Sequence, residues 1–77
     1  MTVTVLFFGA LVNETGTGTK FYDRVGNLEH LKLRVFDDFP EIIHYNFRIS
    51  VNNVISESDI PLNDGDEIAF LPPFEGG

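Results

Sequence analysis

The sequence has no cysteine and no tryptophan, and only five of its 77 residues are lysine or arginine. Without cysteine it cannot be a disulfide-stapled mini-protein, and no thiol of its own can serve as nucleophile, zinc ligand or redox group. Twelve acidic residues against those five basic ones give a formal charge of −7. That balance argues against binding to nucleic acid or an anionic membrane, both of which attract positive charge. No run approaches the ~18 to 20 apolar residues of a membrane span. The opening Met1-Thr2-Val3-Thr4-Val5-Leu6-Phe7-Phe8 has neither a basic region nor a small-residue cleavage site, so a cytoplasmic chain is expected. Asn13-Glu14-Thr15 fits a glycosylation triplet, which without secretion is a chance match.

What the chain does have is apolar content: 43% hydrophobic residues, with Phe supplying eight of ten aromatics. This is too apolar for disorder. One domain fits the length, and a domain of this size buries only roughly 60% of its unfolded surface, so the core must be thin. The acidic surface favours a basic protein partner or simply solubility.

Hydrophobic spacing gives the element order. Val3, Val5 and Phe7 alternate with Thr4, Leu6 and Phe8, a strand ended by Gly9. Asn13 to Thr19 reads as a turn, with a second strand over Thr19 to Tyr22 closing an opening hairpin. Asn27 is a helix cap, Glu29 complements the helix dipole, and Leu28, Leu31, Val35 and Phe39 form the apolar stripe. Phe39-Pro40 stops that helix. Phe47, Ile49 and Val51 alternate in a third strand, Asn52-Asn53 makes a tight turn into Val54-Ile55, and Glu67 to Leu71 is the last strand after a turn at Asn63-Asp64-Gly65-Asp66. The order ββαβββ predicts an α+β domain over residues 1–71. One main helix covers a small mixed sheet, the β-grasp (ubiquitin-like) arrangement, and residues 72–77 form a flexible Gly-Gly tail.

The tail, Pro72-Pro73-Phe74-Glu75-Gly76-Gly77, is the most informative segment. Six residues past Leu71 reach at most roughly 20 Å, from ~3.3 Å per residue. Glycines let backbone approach a partner closely and leave a terminal carboxylate on Gly77 unhindered for attack on the α-phosphate of ATP. A frayed terminus is the plain alternative. If Val3, Val5, Phe7, Ile68 and Phe70 face the helix, then Leu6, Phe8, Ala69 and Leu71, joined by Ile55, line the opposite face and stay largely exposed, an apolar patch of the kind that marks a protein interface. Other features carry less. His30 and His44 are too far apart for a zinc site without cysteine and read as surface residues. Asp37, Asp38 and Glu41 read as a solvated helix end. Asp64-Gly65-Asp66-Glu67 lacks the ligand spacing of a calcium loop, and Gly18-Thr19-Lys20 lacks the order of a phosphate-binding loop. No Ser-His-Asp constellation can be drawn, so a non-catalytic protein is expected.

Ser50-Val51-Asn52-Asn53, Pro61 through Phe70, and Leu71-Pro72-Pro73-Phe74-Glu75-Gly76-Gly77 resemble the MoaD/ThiS sulfur-carrier family. Val5-Leu6-Phe7-Phe8-Gly9-Ala10-Leu11, Thr15-Gly16 and Phe39-Pro40 fit the same pattern, and Pro-Pro before Gly-Gly favours the MoaD branch. The resemblance implies that Gly77 is adenylated by a MoeB-like, ATP-dependent activating enzyme and becomes a thiocarboxylate. It implies further that the tail enters a MoaE-like large subunit of molybdopterin synthase, where sulfur passes to cyclic pyranopterin monophosphate in molybdenum cofactor biosynthesis. ATP belongs to the activating partner, and no cofactor is expected on this chain. Phe8, Ile55 and Leu71 fall where the family docks, with Phe74 on the arm. A ubiquitin-like protein modifier and a ThiS-like carrier for thiamin biosynthesis are the alternatives. Two positions depart from the family: Leu11-Val12-Asn13-Glu14 lacks a frequent arginine, and Lys32 stands where leucine is common.

Overall fold

The computed structural model describes residues 1–73. Five strands form one sheet: β1 (Thr2–Phe7), β2 (Thr19–Asp23), β3 (Arg48–Val51), β4 (Val54–Ile55) and β5 (Glu67–Leu71), in the spatial order β2-β1-β5-β3-β4. β1 and β5 run parallel, with Val5 opposite Ile68 and Phe7 opposite Phe70; every other pairing is antiparallel. The mixed sheet, its single long helix α2 (Leu28–Asp38) and the strand order around it are those of the β-grasp fold.

Alternation in β1 works as the sequence predicts. Val3, Val5 and Phe7 are buried toward α2, joined by Ile68 and Phe70 from β5 and Ile49 and Val51 from β3. The helix contributes Leu28, Leu31 and Val35 from one stripe. Its first turn is capped twice: the Asn27 side chain accepts from the His30 N–H at 2.8 Å, and Asp59 Oδ1 accepts from the Glu29 N–H at 2.9 Å. The helix ends at Asp38, where Pro40 starts a 3₁₀ turn over Pro40–His44 that buries Ile42. Asn52 and Asn53 have φ of 50° and 72°, the paired left-handed conformations of a two-residue type I′ hairpin.

The opening hairpin differs from expectation. Residues Ala10–Thr15, of which Asn13 to Thr15 are expected in a turn and Ala10 to Val12 in no element, form a short helix, α1, that buries Leu11 and is stopped by left-handed Gly16. A six-residue helix has fewer than two turns, too few to show a 3.6-residue period.

Rings crowd one end of the core. Phe7 meets Phe39 edge-on with centroids 5.6 Å apart, Phe7 and Phe70 are 5.6 Å apart, Phe47 and Phe70 5.1 Å, and Phe36 and Phe47 6.1 Å. Contacts of this kind add about 0.5–1.5 kcal/mol each beyond area burial. Phe7 and Phe70 close the core at the end where β5 exits, so the last strand leaves the domain over an aromatic floor. At the opposite edge Tyr22 ties β2 to α2. Its hydroxyl donates to Asp38 Oδ2 at 2.7 Å, with Lys20 Nζ 3.9 Å from the same oxygen, and Arg34 both stacks over the ring and donates to the Asp23 carbonyl.

Candidate functional site

The sheet face away from α2 follows from register. Leu6 lies opposite both Ala69 and Thr19, Ser50 opposite both Ala69 and Ile55, so one row across the sheet reads Thr19, Leu6, Ala69, Ser50, Ile55. The next row toward the exit pairs Leu71 with Arg48, and Phe8 follows directly on β1. Every residue expected on this face therefore lies on it. Exposure varies: Phe8 is 44% and Ile55 43% exposed, Leu6 and Leu71 are half-buried, and Ala69 is buried. The expectation of an exposed Ala69 is thereby corrected. A methyl group on the central strand sits below the level of its larger neighbours, so it shapes the floor of the face rather than its contact surface. Phe21 on β2 is 67% exposed and joins the same face, a residue the sequence reading left out; its alternation with the buried Tyr22 was the available signal.

At the base of the tail an apolar groove of about 400 Å³ is lined by Asn46, Phe47, Arg48, Ile55, Leu71 and the prolines Pro72 and Pro73. Arg48 has no ion-pair partner among the described residues, so its guanidinium is available at the groove wall. A second hollow of about 280 Å³ adjoins it between α2 and β4, where Glu29, Lys32, Glu57 and Asp59 mix both signs of charge. The root of the tail is fitted to the domain. Gly9 has φ 59° and ψ −135°, and a Cβ placed on it would lie 2.9 Å from Pro72 Cγ. The remainder of the arm, Phe74, Glu75, Gly76 and Gly77, lies outside the described residues.

Other positions singled out in the sequence have structural employment. Asp64 Oδ1 accepts from the Thr2 N–H at 2.7 Å, and Asp66 accepts from Asn52 Nδ2 and the Asn63 N–H, so this acidic turn locks the start of β1 and β5. His30 and His44 are both exposed, with His44 Nε2 3.9 Å from Glu41. Asp37 is exposed, and Asp38 is held by Tyr22 and Lys20. Where the arginine of the first corner is missing, Tyr45 donates its hydroxyl to Glu14 Oε1 at 2.9 Å, and that hydrogen bond to a carboxylate raises the phenol's pKa. Lys32 sits at the rim of the second hollow and pairs with Glu29 at 3.6 Å instead of packing inward. Among the described residues no helix is long and apolar enough to cross a membrane.

Comparison with known proteins adds identity to this geometry. The model of the ThiS family matches residues 5–77. No curated sequence matches significantly. Among solved structures, subunit 1 in a protein–protein complex of subunits 1 and 2 of molybdopterin-converting factor from Helicobacter pylori is 29% identical, with 100% of both chains covered and a TM-score of 0.77. A putative molybdopterin converting factor, subunit 1, from Pyrococcus furiosus shares the fold at TM-score 0.85 and 19% identity over 96% of this chain and 99% of its own. SAMP1 from Haloferax volcanii does so at TM-score 0.85 and 18% identity over the whole of both chains.

Proposed function

We propose that this chain, which belongs to the ThiS family, is the small sulfur-carrier subunit of a molybdopterin synthase, working through the carboxylate of Gly77. The observation that supports this most is positional. Pro72 and Pro73 leave β5 from the same end of the sheet as exposed Phe8 and the apolar groove, so a partner that covers the face also receives the arm. The 29% identity to the Helicobacter pylori subunit supports the molybdopterin branch, since that protein stands in complex with its subunit 2.

The chemistry is divided between proteins. A carboxylate is a poor electrophile, so a MoeB-like partner binds ATP and a Gly77 oxygen attacks the α-phosphorus, releasing pyrophosphate and leaving an acyl-adenylate. A persulfide on a donor protein attacks the acyl carbon and expels AMP. A second thiol then cleaves the sulfur–sulfur bond, taking the donor sulfur into a disulfide and leaving the terminal sulfur on Gly77 as a thiocarboxylate. Inside a MoaE-like large subunit that soft nucleophile passes its sulfur to cyclic pyranopterin monophosphate. This chain supplies a stable domain, a docking face built on Leu6, Phe8, Ile55 and Leu71, and the arm; it binds no cofactor and forms no active site of its own.

Intact-mass spectrometry after co-expression with the activating partner tests the proposal. The expected gain equals one sulfur replacing one oxygen, lost on deletion of Gly77 while the fold persists. An unchanged mass refutes it. Lysine peptides bearing Gly-Gly, in place of sulfur transfer, move the function to protein modification, and productive pairing only with a thiazole-forming partner moves it to the thiamin branch.

A further inference from the structure

Because β1 and β5 are parallel, the residues just past their ends remain side by side: Phe7 pairs with Phe70, and beyond them Gly9 meets Pro72. The two segments must then part, since residue 9 turns into α1 while residue 72 heads outward as the arm. Gly9 makes that parting possible in two ways. Its φ of 59° with ψ of −135° lies where only glycine is comfortable. Its bare α-carbon also leaves room for the Pro72 ring, which stands 2.9 Å from where a Cβ would project. A proline ring is fixed to the backbone, so displacing it swings the start of the arm.

We infer that Gly9 is a positioning residue for the carrier tail: its α-carbon is the seat on which Pro72 rests, and this seat sets the direction in which the arm leaves the sheet. The inference rests on the carrier function proposed above. An arm already aimed along one path has less orientational freedom to lose when it enters a partner's channel, and reduced ordering cost appears as tighter productive binding. Pro73 continues the restriction, since the first proline must keep an extended conformation before the second.

The test uses the full chain and its activating enzyme. In the wild type, an NMR nuclear Overhauser contact is expected between the Gly9 α-protons and the Pro72 ring; its absence overturns the inference whatever the chain's function. Adenylation kinetics follow by ATP–pyrophosphate exchange. Gly9→Ala, assayed at a temperature where circular dichroism shows it as fully folded as the wild type, is expected to raise KM for the chain by about threefold to tenfold with kcat nearly unchanged; the matched folded fraction separates this from destabilisation, which would raise KM by depleting competent substrate. Pro72→Ala raises KM likewise, and the double variant is no worse than Pro72→Ala alone, because the lost contact is the same one. Wild-type KM in Gly9→Ala, or losses that multiply in the double variant, overturn the inference. Should Gly9→Ala fail to fold, Pro72→Ala alone decides: it leaves the strained backbone untouched, and an unchanged KM refutes the seat. A wild-type chain that is never adenylated instead refutes the carrier function itself.

Discussion

Tyr22→Phe isolates the link between the edge strand β2 and helix α2. The substitution removes one oxygen and keeps the buried ring, so apolar packing is conserved. It deletes the 2.7 Å hydrogen bond to Asp38, whose side chain is 40% exposed and can rehydrate. A hydrogen bond to an ionised acceptor contributes about 1.5–3 kcal/mol when enclosed; with solvent reaching Asp38, a loss of about 1 kcal/mol is expected. For a domain this small that lowers Tm by roughly 4–8 °C. Asp38→Asn should cost less, since it keeps an acceptor and gives up only a half-exposed pairing with Lys20 at 3.9 Å. The pH dependence carries the sharper test. Burial, then the hydrogen bond and charge of Asp38, push the Tyr22 phenol above its ordinary value. Above about pH 10 the unfolded chain loses this proton while the folded chain keeps it, so the native state binds more protons and stability falls as pH rises. The contribution is complete below that pH and fades beyond it. Thermal unfolding of both proteins at about pH 8 and about pH 11 should therefore show the wild-type advantage narrowing, with Tyr45 cancelling because both proteins carry it. An advantage that is absent near neutrality, or that stays constant into alkali, refutes the assigned link.

Two further outcomes are expected. Asn27→Ala should cost about 1 kcal/mol in urea unfolding by freeing the His30 amide, with Asp59 still covering Glu29. Ile55→Lys, at an exposed edge position beside the groove, should leave stability within about 0.5 kcal/mol. The same change should weaken calorimetric binding to a MoaE-like subunit by at least about tenfold, and unchanged affinity would remove Ile55 from the docking face.

The strands and the long helix were legible because each carries a local signal that the tertiary structure reinforces. Val3-Val5-Phe7 alternates over a whole strand, Asn27 stands at the cap with Leu28, Leu31 and Val35 behind it, and Asn52-Asn53 occupies the two positions that demand positive φ. The faces of β1 and β5 followed from the same alternation, which is why Leu6, Phe8 and Leu71 lie on the face expected of them, while Ile55 reaches it through the β3–β4 hairpin. What escaped lies where order comes from contacts distant in sequence. Helix α1 exists because Leu11 finds the core and Gly16 ends the turn, and neither fact shows as a period. Ile42 is buried from a single 3₁₀ turn and Leu62 from an irregular segment, neither long enough to show a pattern of its own. Ala69 was assigned the correct face but the wrong depth, since depth depends on the height of neighbouring side chains. The contact between Gly9 and Pro72 joins residues that no local rule connects.

The parallel pairing of β1 with β5 has a consequence for how the chain becomes competent. Thr4 waits for Glu67 and Phe7 for Phe70, so the centre of the sheet is completed only by residues near the far end of the sequence. Synthesis delivers the middle of the sheet last, and loop closure over such a separation is slow compared with forming the helix or the β3–β4 hairpin. Until β5 docks, there is neither an aromatic floor beneath the exit nor a neighbour for Gly9. The exit of β5 is thus assembled only when the sheet is complete. Under the proposed carrier function, a partner that binds both the face and the arm would meet them together only in the completed molecule.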